Sequence, residues 1–277
     1  MLRERVSEDI YVFTSDLYIQ VTAGAVVTPV GAVVIDTLPL PIESREMAEF
    51  LAERCPTGVR YVILTHYHAD HTYGAYLYPD ASVVAHARCR DLLASLGEEA
   101  LQRAKEEAPE LAEVTLRLPD LTLDEGEMVL NVDGKTLRLL WTPGHSEDTL
   151  SVFVEEDRVL FASDTLMPVP TIVDGDPETL KASLRRLLDL RPENIVQGHG
   201  EVILRGEVQS VIEANIAYLD RIQAIAERAV REGKPRQSLY QSDVEECGPP
   251  RVALDGRAQQ LHVANLLTLY DRLKSGG

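Results

Sequence analysis

Short apolar runs bounded by turn residues recur in both halves of the chain, with helical stretches between them. Ile10 to Thr14 and Leu17 to Thr22 are rich in β-branched and aromatic residues and read as strands. Gly24 to Pro29 and Gly31 to Thr37 read as a buried hairpin turning near Pro29-Val30-Gly31. Ile42 to Arg54 places Ile42, Met47, Phe50 and Leu51 at helical spacing, and Cys55-Pro56-Thr57-Gly58 stops it. Val59 to Leu64 is a short, mostly apolar run, consistent with a strand covered on both faces. Ser82 to Ala85 predicts another short strand, and Ala87 to Glu107 a helix ending before Pro109.

The second half repeats this order. Met128 to Val132 and Lys135 to Trp141 flank Asp133-Gly134, a hairpin signal, and Ser151 to Glu155 and Arg158 to Phe161 flank Glu156-Asp157 in the same way. Pro177 to Leu190 predicts an amphipathic helix, and Asn194 to Gln197 a strand ending at Gly198-His199-Gly200. A long helix over about 207–232, a loop over 233–256 and a final helix to Leu273 complete the chain. Strands, helices, strands, helices predict an α/β protein: two sheets face to face with helices outside, an αββα sandwich. No repeat or internal boundary is visible, so residues 1–277 are expected to form one domain. The helical segment 207–277 is an extension that either caps a site or supplies a homodimer interface.

Composition narrows the function. An apolar fraction of 45% and a charged fraction of 26% are those of an ordinary globular protein. No stretch approaches the ~20 apolar residues that span a bilayer. No apolar run follows Met1-Leu2-Arg3-Glu4-Arg5, so the N-terminus does not read as a secretory signal. The net charge of −18 disfavours nucleic acid and anionic membranes as partners, because both require clustered Lys and Arg. Cys55, Cys89 and Cys247 are far apart and odd in number, which predicts free thiols and a cytoplasmic location.

Only seven histidines occur in the chain, and His66, His68 and His71 fall, with Asp70, within six consecutive positions. At this composition such clustering arises by chance in roughly a few in ten thousand chains. Alternate side chains of an extended segment point the same way, so His66 and His68 can meet on one ion. Asp70 and His71, past the strand end, can face a second. Imidazole and carboxylate suit zinc and similar divalent metals, and no cysteine is near enough to close a structural zinc site. His145, Asp164 and His199 each follow a predicted strand, where a rigid scaffold holds a ligand in reach of solvent. Of the remaining histidines, His86 reads as structural, and His262 as a helix-surface residue or part of a pocket wall.

The run His66-x-His68-x-Asp70-His71, followed by His145, Asp164 and His199, resembles the metal signature of the metallo-β-lactamase superfamily over roughly residues 10–205, and Asp36 matches that superfamily's first motif. The resemblance implies two mixed β-sheets in an αββα fold. It implies one metal on His66, His68 and His145, another on Asp70, His71 and His199, and Asp164 bridging. It implies a hydrolase with two zinc ions (iron or manganese as alternatives), in which Asp70 orients the attacking water and shuttles its proton. Asp36 and Thr65 are candidates to fix ligand orientation.

Departures from the subfamilies narrow this reading. His68 is not the Glu of diiron flavoprotein relatives. Met167 stands where many lactonases have Tyr, and Asp164 where dedicated β-lactamases have Cys or Ser. No basic RNA-processing module or glutathione-binding motif is present. Met167 to Val173 is uncharged and, with Tyr67 and Tyr73, could form an apolar wall. The expected substrate is a small, largely uncharged ester, lactone, amide or related molecule. Alternatives are a mononuclear iron persulfide dioxygenase, and a lactonase or thioesterase with incidental β-lactamase activity.

Overall fold

The computed structural model describes residues 1–275. One sheet holds seven strands in sequence order: β1 (Leu2–Arg5), β2 (Ile10–Thr14), β3 (Thr22–Thr28), β4 (Gly31–Ile35), β5 (Val59–Ile63), β6 (Ser82–His86) and β7 (Leu121–Leu123). The first four are antiparallel, and β4 to β7 are parallel. The parallel crossovers carry helix α1 (Pro41–Arg54), a short α2 (Ala69–Thr72), and the pair α3 (Ala87–Leu92) and α4 (Glu98–Glu107). Five residues of π-helix, Leu93–Gly97, join α3 to α4.

The second sheet runs β13-β12-β11-β10-β9-β8. Its strands are β8 (Glu127–Val132), β9 (Lys135–Trp141), β10 (Leu150–Val154), β11 (Val159–Ser163), β12 (Asn194–Gln197) and β13 (Ile203–Leu204). Only β11 and β12 pair in parallel, across α5 (Pro177–Asp189). Helices α6 (Val208–Arg231) and α7 (Ala258–Ser275) pack outside this sheet. Both sheets are mixed and helices flank them, so the αββα sandwich is observed.

Strand side chains alternate between faces, and both faces are covered. In β2, Ile10 and Val12 enter the layer between the sheets while Tyr11 and Phe13 pack toward α1. In β11, Phe161 faces the inter-sheet layer and Leu160 and Ala162 face α5 and α6. Hence the uninterrupted apolar runs of strands such as β2 and β4, whereas β8 at the sheet edge alternates exposed and covered positions.

Two expectations need correction. Of the strand expected over Leu17 to Thr22, residues 17–21 form a turn and β3 begins only at Thr22. The Leu17 and Tyr18 amides donate to Ser15 Oγ, the Val21 amide donates to Tyr18 O, and Ile19 and Gln20 take left-handed φ of 46° and 54°. Turn chemistry at Ser15-Asp16 overrides the β-propensity that follows it. His262 is neither on a helix surface nor in the pocket wall. It is 0% exposed between α6 and α7, within hydrogen-bond reach of Tyr218 Oη at 3.2 Å and Ser242 Oγ at 3.1 Å. The three cysteines are free and buried. Among the described residues, no helix is long and apolar enough to cross a membrane.

Candidate metal centre

The candidate ligands converge at one edge of the sandwich, beyond the C-terminal ends of β5, β9, β11 and β12. His66 and His68 lie in the extended segment after β5, and Asp70 and His71 open α2. His145 follows β9, Asp164 follows β11 and His199 follows β12. Their ligand atoms form two groups, each within 4.8 Å: His66, His68, His145 and Asp164 in one, and Asp70, His71 and His199 in the other.

In the first group three imidazole nitrogens face one point. His68 Nδ1 lies 2.9 Å from His66 Nε2 and 3.0 Å from His145 Nε2. Asp164 joins the groups: its Oδ2 is 3.4 Å from His145 Nε2 and 3.6 Å from His199 Nε2, while its Oδ1 is 3.2 Å from His71 Nε2. Asp70 Oδ2 is 3.4 Å from His199 Nε2. Asp70 is the more open of the two carboxylates, with a side chain 16% exposed against 5% for Asp164.

The outer nitrogens decide which atom of each ring carries a lone pair. His71 Nδ1–H donates to Asp36 Oδ2 at 2.8 Å, and His199 Nδ1–H to Ile19 O at 2.9 Å. His68 Nε2–H donates to Asp174 Oδ2 at 3.0 Å, and His145 Nδ1–H faces Thr171 Oγ1 at 2.8 Å and Thr171 O at 3.2 Å. His66 Nδ1 meets Thr65 Oγ1 at 3.1 Å, and that hydroxyl donates to Asp36 Oδ2. With the outer proton fixed, the inner nitrogen of each ring in its neutral form presents a lone pair to the same small space. Lone pairs facing one another at 3 Å repel unless a cation sits among them. His71 Nε2 and Asp164 Oδ1 are buried and have no hydrogen-bond partner. The donor set therefore fits divalent metal, with nitrogen and carboxylate ligands of the zinc type.

Electrostatics divides the rings: burial lowers His66 and His145, whereas on His68, His71 and His199 the neighbouring carboxylates outweigh burial and favour a proton that a metal would displace. Burial pushes the His66 imidazole well below its usual range and His145 to about 4, so both are neutral donors near pH 7. Burial works against charge on His71 and on Asp164 too, but the carboxylates of Asp164, Asp36 and Asp70 hold His71 well above its usual range. His71, His199 and His145 hold Asp164 well below its own.

Asp36 sits where expected, accepting from His71 and from the amide of Thr65 at 2.9 Å. Sequence reasoning missed Asp174, Thr171 and the Ile19 carbonyl. Asp174 lies one residue beyond the uncharged segment and carried only the signature of a turn. A backbone carbonyl has no sequence signature at all. His86 is structural, stacked 5.3 Å from Trp141 and capping α3 by accepting from the Arg88 amide.

The cluster floors a cavity of about 200 Å³ whose apolar wall includes Ile19, Met167, Val173, Leu254 and Leu261. Asn265 and Arg272 of α7 brace this wall: Asn265 bonds Ile172 N and Pro170 O, and Arg272 donates to the carbonyls of Ile172, Val173 and Gly175.

Known proteins place this arrangement. A beta-lactamase-like protein 2 homolog of Caenorhabditis elegans is 27% identical over 186 residues, 67% of this chain and 56% of its own. An atrochrysone carboxyl ACP thioesterase of Claviceps purpurea is 28% identical over 64% of this chain and 50% of its own. The chain thus spans about half the length of these curated relatives. The solved structure of a metallo-beta-lactamase family protein from Thermus thermophilus superposes with a TM-score of 0.68 at 21% identity, covering 99% of this chain and 95% of that one. The family model of the metallo-beta-lactamase superfamily matches residues 18–199, which contain every candidate ligand from His66 to His199. The chain belongs to the metallo-beta-lactamase superfamily.

Proposed function

We propose that the chain is a two-metal hydrolase, most simply a zinc enzyme, that cleaves an ester, thioester, lactone or amide bond in a small, largely uncharged substrate. The observation that carries this reading is the convergence of five imidazole nitrogens and two carboxylates, every outer ring nitrogen being fixed by a partner. His66, His68 and His145 would hold one ion, Asp70, His71 and His199 the other, and Asp164, with oxygens facing both groups, would be shared. Bound there, two divalent ions supply Lewis-acid polarisation of the substrate oxygen and acidify the attacking water.

The residues themselves do the positioning. Asp70 faces the cavity through its carboxylate, and we assign to it the proton of the attacking water, taken up at a carboxylate oxygen and returned to the leaving group. Asp36, Thr65, Thr171 and Asp174 hold the imidazoles so that they need not reorganise during reaction. The wall is largely apolar and, beyond the candidate ligands, carries only the Asp174 carboxylate, so it offers no cation to recognise an anionic substrate. The relative named as a thioesterase favours an acyl group as the target.

The test is a hydrolysis panel on protein of known metal content, covering lactones, aryl esters, thioesters, phosphodiesters and a chromogenic β-lactam. Cleavage of an acyl substrate with about two zinc ions per chain is expected. Failure on every substrate with two zincs bound would overturn the reading. Iron in the protein with sulfite formed from a persulfide would replace it with the dioxygenase alternative.

A further inference from the structure

His68 lines two cavities. One is the metal-floored cavity already described. The other, about 190 Å³, lies between Tyr67, Tyr73, Leu93, Leu96, Ala100 and Leu116. None of its lining residues carries a formal charge apart from what His68 itself can bear. The hydroxyl of Tyr67 is already engaged by Asp174 at 3.1 Å.

The wall is built by an unusual element. The π-helical turn Leu93–Gly97 interrupts an otherwise continuous α3–α4 helix. Such wide turns are rare and recur at functional sites. Here the turn buries Leu93 and sets Leu96 and Gly97 against the cavity. A side chain at position 97 would start 2.7 Å from Leu116 Cδ1 and push Leu116 out of place. Leu96 stands 51% exposed at the rim, where an apolar chain lying in the cavity would cover it.

Each cavity alone is small for a ligand site, but together they reach the range of roughly 300 to 1,000 Å³ usual for small-molecule pockets. We infer that the cavity beside Leu93–Gly97 receives an apolar arm of the substrate, a linear hydrocarbon chain of several carbons, while the group across the scissile bond rests on Met167, Val173 and Leu254. The substrate class is then an uncharged acyl compound with an apolar group on each side of the bond. This rests on the hydrolase reading of the metal centre and adds a chain-length rule to it.

The experiment uses the full chain in two forms. With metal-loaded protein, kcat/KM is measured for p-nitrophenyl esters from acetate to decanoate. It should rise about 3- to 4-fold per methylene, the effect of burying one CH₂, until the cavity is full. Ala100→Phe, which narrows the cavity from its exposed rim, should cut the hexanoate-to-acetate ratio at least 10-fold. Leu116→Ala should move the optimum to a longer chain. With metal-free protein, NMR titration with hexanamide should shift the amide signals of residues 93–97 in the wild type and much less in Ala100→Phe. Equal chain-length profiles in all three proteins, or hexanamide shifts confined to other regions, would overturn the inference and leave the hydrolase reading standing. If two metals are bound and neither these esters nor any substrate of the hydrolysis panel is cleaved, the hydrolase reading fails, and the titration still decides whether the cavity takes an alkyl chain.

Discussion

The two oxygens of Asp164 face different histidines, Oδ1 toward His71 and Oδ2 toward His145 and His199, and this carboxylate tolerates no displacement. A Cβ at Gly198 would lie 1.9 Å from Asp164 Oδ1 and 2.7 Å from the Asp164 amide. Since no real Cβ approaches so closely, Gly198→Ala must move Asp164. We expect that variant to keep its far-UV circular dichroism and to fall below one metal per chain by elemental analysis. His145→Ala and Asp164→Ala should likewise lose metal and nearly all activity while remaining folded, and full occupancy in either would refute the assignment. Asp174 acts through His68. Loss of such a partner typically weakens metal binding about 10- to 100-fold, so Asp174→Ala should do so by competition with a chelator, and Asp174→Asn, which can still accept through its amide oxygen, by less.

Helices α6 and α7 enclose a polar network within an apolar cluster. His262 meets Tyr218 and Ser242, and Asn265 donates to Tyr218 Oη at 3.1 Å while also holding the wall segment at Pro170 and Ile172. Burial lowers His262 to about 4. An unfolded histidine titrates near 6.5, so between these values the unfolded chain binds the extra proton and stability falls with acid. The contribution is complete above about pH 6.5 and is lost as the pH drops toward 4. The loss amounts to about 2 kcal/mol by pH 5 for this one group. Replacing it with a residue that does not titrate, His262→Asn, should therefore flatten the decline of Tm between pH 7 and 5, even if the variant is less stable at neutral pH. An unchanged slope would show that His262 is not buried as a neutral ring.

For the molecule as a whole, the metal centre is a junction. Seven donors come from segments between residues 66 and 199, and α7 braces the cavity wall from residues 265 and 272. Metal binds the folded chain and only weakly the unfolded one, so it should raise stability by mass action. Chelation should lower Tm by several degrees in differential scanning, and zinc should restore it. A Tm indifferent to chelator would mean that the cluster holds its geometry without metal. Arg272→Ala, far along the chain from any ligand, should release the Ile172–Gly175 carbonyls and raise KM more than it lowers kcat, since it loosens the wall and leaves the ligands in place.

Much of this was legible along the chain. The central strands were read because both faces of the sheet are buried there, which writes continuous apolar runs such as Gly31 to Ile35 into the sequence. The ligands were read because histidine is scarce and carries its chemistry in its side chain wherever the backbone goes, and here the strand ends hold it. The partners of those ligands were legible only in part. Asp36 and Thr65 stood at strand ends beside the motif, but Asp174 and Thr171 looked like loop residues, and Ile19 acts through its carbonyl. Leu17 to Thr22 misled because local propensity is weak against the hydrogen bonds of Ser15. His262 misled because helical position does not reveal what packs across it. Burial, tautomer and the two cavities lined by His68 depend on atoms brought together from distant parts of the chain. Residue types and their spacing determined the fold and the chemistry of the ligands; which nitrogen faces inward, and what shape of substrate can approach, only tertiary contact could decide.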